Sequence, residues 1–186
     1  MKNYLKHFSA ILILSLIIIS VKAQDTAKVV YPLDKVSFGL GLGLEYGLIG
    51  MNVTVYPQKN VGLFGGFGYD LIGMGYNVGT KIRFVSDNSA KKFIPYVTLM
   101  YGLTQAVVVR DLDQYNKEFH STSLGVGFDW RPKLRKNVEW SVSLLIPFNN
   151  TEIQDYMDEL HKNHNVEFDN EVLPFRFSLG YRFLFD

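Results

Sequence analysis

The sequence contains no cysteine. That excludes disulfides, thiolate metal sites and a lipid-anchored cysteine at a mature N-terminus. It also lacks a charge imbalance, since 19 Lys and Arg face 18 Asp and Glu for a formal charge of +1. No strong field therefore points toward nucleic acid or an acidic substrate. Beyond the N-terminal segment no apolar run reaches the roughly 18 residues that a transmembrane helix requires. No glycine-rich phosphate loop follows a strand and opens a helix; the glycines recur at period two instead. What the chain has in abundance is aromatics and glycine, with 14 Phe, 11 Tyr, 2 Trp and 16 Gly. A length of 186 residues is enough for one domain once a targeting segment is removed.

The first residues, MKNYLKHFSAILILSLIIISVKAQ, read as such a segment. Lys2 and Lys6 form a positive start, Phe8 to Val21 is an apolar run, and Val21 and Ala23 occupy the positions a signal peptidase reads. Residues 1–23 are expected to be a cleaved signal peptide. Residues 24–35, mixed in character and carrying Pro32, are expected to be a short periplasmic linker.

From Val36 onward the dominant signal alternates with period two. In VSFGLGLGLEY, Val36, Phe38, Leu40, Leu42, Leu44 and Tyr46 oppose Ser37, Gly39, Gly41, Gly43 and Glu45. The same split recurs from Ile49, Val61, Met74, Pro95, Thr122 and Val138, and again in the final FRFSLGYRFLF. Eight strands result. The connections after strands two, four and six are short and polar: Pro57 to Asn60, Ser86 to Lys92 and Arg131 to Asn137. Strands five and seven are followed by longer pieces, Asp111 to His120 and Asn149 to Glu171. The last of these carries Thr151 and Gln154 in capping-box spacing, then Ile153, Met157 and Leu160 on one face. A short helix is predicted there. Long loops thus gather at one end of the meander and tidy turns at the other, with both termini on the turn side.

The two faces differ in what they can tolerate. If the apolar face filled a soluble eight-stranded barrel, its many large side chains would exceed an interior that barely holds filling side chains. If that face meets lipid, the interior receives Gly, Ser, Thr, Asn and charges. Lys81, Arg83, Arg131, Arg176 and Arg182 all share the small-polar face; on a lipid face each would cost roughly 2–4 kcal/mol near the midplane. Aromatics cluster where strands would meet the interfaces: Tyr46, Tyr69 and Tyr76 on the loop side, Phe84, Trp130, Trp140, Phe183 and Phe185 on the turn side. The chain is expected to be all-β, an eight-stranded antiparallel up-and-down transmembrane barrel over residues 36–186, with a short helix in the last long loop.

The ending sharpens this. Ser178, Gly180, Phe183 and Phe185 are spaced as polar-x-Gly-x-x-aromatic-x-aromatic. In this the chain resembles the small eight-stranded outer-membrane barrels of Gram-negative bacteria, whose terminal strand carries such a pattern as the signal for the barrel-assembly machinery. Asp186 is a departure, because many members end on the aromatic itself. The resemblance implies an outer-membrane location, contact with outer-membrane lipids and lipopolysaccharide, a passage through the assembly machinery, a monomer, and a structural or surface-interaction role without catalysis, cofactor or nucleic-acid partner.

Three groups of residues are candidate sites. Glu45, Asp70, Lys81, Arg83, Asp129, Arg131, Glu139, Arg176 and Arg182 face the lumen, as a plug of paired charges or as an ion path. The first reading is preferred, since eight strands leave no wide channel. Glu118, His120 and Thr122 are spaced by two near the loop-side rim. Lipopolysaccharide-deacylating barrels place a His and a Ser two apart on a lipid-facing strand, but Thr122 replaces the serine here, and ordinary rim residues are the expectation. Asp158, His161 and His164 stand at helical spacing. They could hold a metal, but no further ligand accompanies them, and a solvated helix is expected. A soluble periplasmic barrel enclosing an apolar ligand is the remaining alternative.

Overall fold

The computed structural model describes residues 32–87, 90–109, 112–133, 137–164, 166 and 172–185. The expected signal peptide at 1–23 lies outside them. Eight strands form a closed antiparallel barrel in which every neighbour in space is a neighbour in sequence, and β8 returns to pair with β1. They are β1 (Val36–Gly43), β2 (Leu48–Val55), β3 (Val61–Tyr69), β4 (Met74–Arg83), β5 (Phe93–Val107), β6 (Lys117–Trp130), β7 (Val138–Pro147) and β8 (Arg176–Phe185). One α-helix, α1 (Asn150–His164), lies between β7 and β8.

The alternation sorts the two faces. Leu63, Phe67, Val78, Leu99, Val126, Ile146 and Leu179 are exposed on the outside, with Leu63 at 55% of its full surface. Lys81 and Arg182 on the inside are each 1% exposed. A soluble barrel with an apolar interior needs the reverse partition. The interior is nonetheless not made of small residues alone. Tyr56, Phe64, Tyr96, Met100 and Leu145 also point inward and are buried. Glycines on facing strands, such as Gly127 beside Tyr96, leave room for them.

The β2–β3 turn is pinned by a side chain. Asn60, in the β2–β3 turn, donates through Nδ2 to the carbonyls of Arg83 (2.9 Å) and Val85 (3.1 Å) at the end of β4. At the opposite end β5 and β6, of 15 and 14 residues, outreach the other strands. A register shift between Leu103 and Gln105 lets this hairpin bend. The Thr104 hydroxyl there donates to the Phe119 carbonyl at 2.9 Å. Ile153, Met157 and Leu160 of α1 pack on Val107, Val109 and Phe119 of this extension. The helix is where the sequence placed it and buries the face expected. Its start differs: Gln154 donates to Asp158 at 2.9 Å instead of reaching back to close a capping box.

One segment departs from the sequence reading. The alternation assigns Tyr46 to a lipid-facing aromatic girdle and Leu44 to the outer face. Instead β1 stops at Gly43, and Leu44–Tyr46 form a single 3-10 turn whose three side chains are all buried. Gly43 (φ 101°) and Gly47 (φ 64°) occupy backbone regions that disfavour a side chain and turn the chain inward and out again. Tyr69, Tyr76, Phe84, Trp130, Trp140, Phe183 and Phe185 do face outward as expected.

Candidate functional site

The lumen holds the densest chemistry of the molecule, in two parts. Near the turns, Lys81 donates to Asp129 at 2.8 Å with both side chains buried. The Lys81 ammonium also sits 3.6 Å above the Tyr96 ring. Arg131 Nε donates to Glu139 Oε2 at 2.9 Å, and Arg182 Nε stands 4.0 Å from Glu139 Oε1. Arg182 Nη2 donates to Ser37 Oγ (2.8 Å), Asn52 Oδ1 (3.0 Å) and Thr54 Oγ1. These charges are buried at the turn end of the barrel, on the strands or, for Arg131, just past one.

The sequence reading missed the keystone of this cluster. Asp34, in the segment expected to be a linker, is 2% exposed. Its Oδ1 accepts from Arg83 Nη1 at 2.9 Å and from Arg131 Nη2, and its carbonyl accepts from Arg83 Nη2 at 3.0 Å. Arg83 is further held by the Lys59 carbonyl (2.7 Å) and stacks over Tyr56 at 3.6 Å. Burial alone would raise the Asp34 carboxyl; the guanidiniums of Arg131 and Arg83 outweigh it and hold the group below the usual carboxylate range. A lone acid in a short unpatterned segment carries no sequence signal for this role.

Toward the loops the 3-10 turn buries its three side chains inside the barrel. Leu44 meets Phe64, Met100 and Leu145 in an apolar collar. The turn's carbonyls are held by amides: Asn77 Nδ2 donates to Leu44 O (2.6 Å) and Asn52 Nδ2 to Glu45 O (2.8 Å). The Glu45 N–H donates to Ser178 Oγ at 3.2 Å. Glu45 is therefore buried, on a turn and not on a strand.

The other expected lumen charges are dispersed. Asp70 is buried, but its Oδ1 accepts from the N–H groups of Ile72 (3.0 Å) and Gly73 (2.6 Å), so it caps the β3–β4 turn. Arg176 lies half-buried at the rim, donating to Gln105 Oε1 at 2.6 Å and to the Leu173 carbonyl, outside the buried network.

Glu118, His120 and Thr122 lie near the loop-side rim. His120 Nε2 is 3.9 Å from Glu118 Oε2, too long for a hydrogen bond, and has no hydrogen-bond partner; its ring lies against Tyr76 at 5.3 Å. His120 Nε2 therefore makes no hydrogen bond to the Thr122 hydroxyl. On α1, Asp158 accepts from Gln154, His161 Nδ1 donates to the Val166 carbonyl (3.0 Å), and His164 lies against Tyr115 at 4.4 Å. The three are committed to different neighbours. Among the described residues no group of three His, Cys, Asp or Glu side chains is placed to hold a metal.

No family model and no curated protein matches the chain. Among solved structures it is similar to the N-terminal β-barrel domain of Pseudomonas aeruginosa OprF. The two are 15% identical, the match covers 82% of this chain and 98% of that one, and the TM-score is 0.47.

Proposed function

We propose that this protein is an outer-membrane barrel, exported by its N-terminal signal and folded as a monomer, with a side-chain-filled lumen and a structural or surface-interaction role. The observation that carries the reading is the exterior. Large apolar side chains stand exposed on all eight strands, while the buried cations point inward. Water would oppose such a surface, whereas a bilayer favours it. Tilted, the 10-residue strands β4, β7 and β8 rise roughly 25 Å, the apolar height of such barrels. Closure pairs every strand edge, the condition for backbone in hydrocarbon. The ionic cluster and the inward turn favour a sealed lumen. The β5–β6 extension and α1 form a packed platform on the loop side, suited to contact outside the cell. Fractionation of the native host, with gel mobility before and after boiling, tests the location. A band in the outer-membrane fraction that shifts on boiling is expected; a soluble periplasmic protein that binds no detergent would refute it. Planar-bilayer recording tests the seal: steady conductance of porin size would overturn it.

A further inference from the structure

Seven of the eight strand pairs in this barrel are hairpin neighbours, joined in sequence; the pair β1·β8 is not. A hairpin's register is fixed by its turn. The closing pair has no turn, and side-chain alternation constrains it only modulo two. A slip of one residue would flip every side chain to the wrong face, but a slip of two would keep Gly39, Gly41 and Gly43 inward, with Gly41 opposite Ser178 or Arg182 in place of Gly180. Something else must select the observed register, in which Gly41 opposes Gly180 and Leu40 opposes Tyr181.

We propose that the inward 3-10 turn is that device: Tyr46 is a latch that reads the β1·β8 register and holds the closing seam. Its fully buried ring lies across three glycines, two on β1 and one on β8. A Cβ on Gly39 would come 3.2 Å from Tyr46 Cε1, and one on Gly41 2.8 Å from Cε2. A Cβ on Gly180 would overlap the phenol itself. A slip of two residues replaces Gly180 under the ring by Ser178 or Arg182, neither of which leaves the space. The Glu45 N–H bond to Ser178 Oγ ties the same turn to β8. Arg182 also reaches Ser37 across the seam, but a long flexible chain can follow a shifted strand and a buried ring cannot. The glycine in the terminal pattern thus has a reason internal to this fold. The Tyr46 hydroxyl has no hydrogen-bond partner, so the latch works by shape.

The test uses the full chain, whose lack of cysteine gives a clean background. Oxidative crosslinking of Leu40→Cys/Tyr181→Cys reports the native register. Leu40→Cys/Leu179→Cys and Leu40→Cys/Phe183→Cys report slips, since diagonal neighbours about 7–8 Å apart crosslink poorly. Gly180→Ala should cut the yield of closed, heat-shifting barrel at least about tenfold and raise the slipped crosslinks. In a Tyr46→Leu background, which keeps apolar bulk but frees the glycine floor, the same change should cost less than about twofold. Tyr46→Phe should behave as wild type. The latch is overturned if Gly180→Ala closes normally with only the native crosslink, if it costs as much in the Tyr46→Leu background as in the native one, or if Tyr46→Phe fails to close.

Discussion

Replacing Asp34 by alanine separates a keystone from a linker. The carboxylate sits between Arg83 and Arg131, 2.9 Å from the first. At that distance and an effective dielectric of about 20, one pair attracts by about 6 kcal/mol. Desolvation of each ion offsets several kcal/mol of this, and breaking a buried pair costs about 3–5 kcal/mol in practice. Arg131 keeps Glu139, while Arg83 keeps the Lys59 carbonyl and the Tyr56 ring. Water can also enter at the mouth once the carboxylate is gone. The lower figure, about 3 kcal/mol, is therefore expected, a shift of roughly a hundredfold in the unfolding constant. Urea unfolding in lipid vesicles, followed by the fluorescence of Trp130 and Trp140, reads it. The pH dependence carries the sign. Asp34 precedes β1, and its folded value lies below the ordinary 3.8. Its contribution is present above the unfolded value and lost as the pH falls through the folded one. The gap between wild type and Asp34→Ala should be constant above about pH 5 and close under strongly acidic conditions. A loss below about 1 kcal/mol, the range of exposed pairs, would refute the buried geometry.

Three further outcomes follow from the same structure. Glu139→Gln leaves Arg131 with Asp34 alone and Arg182 without its carboxylate partner, so it should lower the unfolding midpoint without producing steady bilayer current; a stabilised protein would mean that Glu139 faces lipid. Phe185→Asp puts a charge on an exposed outward position of the last strand and should reduce outer-membrane barrel yield, measured by the boiling shift; wild-type yield would remove the assembly role assigned to the terminal pattern. A cysteine at Lys133, in the β6–β7 turn, should resist an impermeant thiol reagent on intact cells and react after lysis, whereas labelling from outside would invert the orientation.

The strands were legible because period two is written into nearly every one, and the helix because Ile153, Met157 and Leu160 recur on one face. What stayed hidden breaks no pattern. Gly47 marks the tight link to β2, but Leu44 and Tyr46 continue the alternation of β1 without a proline or polar turn signal, so nothing shows that the strand already ends at Gly43 and the chain dives inward. The two positive-φ glycines that do it look like the packing glycines around them. Asp34 has no periodic context, and its partners lie 49 and 97 positions away. Arg176 and Asp70 satisfied the inward parity, but parity says nothing of height along the barrel axis. Both sit at the rim, where Asp70 accepts from the backbone of its own turn and Arg176 donates to nearby loop carbonyls and to the Gln105 side chain.

Contact of the apolar exterior with lipid can be measured directly through the two tryptophans. Trp130 and Trp140 face each other across β6 and β7 at the turn end, both pointing outward. In vesicles with bromine-labelled acyl chains, their fluorescence should be quenched, most strongly by bromines close to the headgroups and least by those at the bilayer centre. Aqueous iodide should quench little. Strong iodide quenching, with no response to bromine at any depth, would put the apolar exterior in water and overturn the membrane placement.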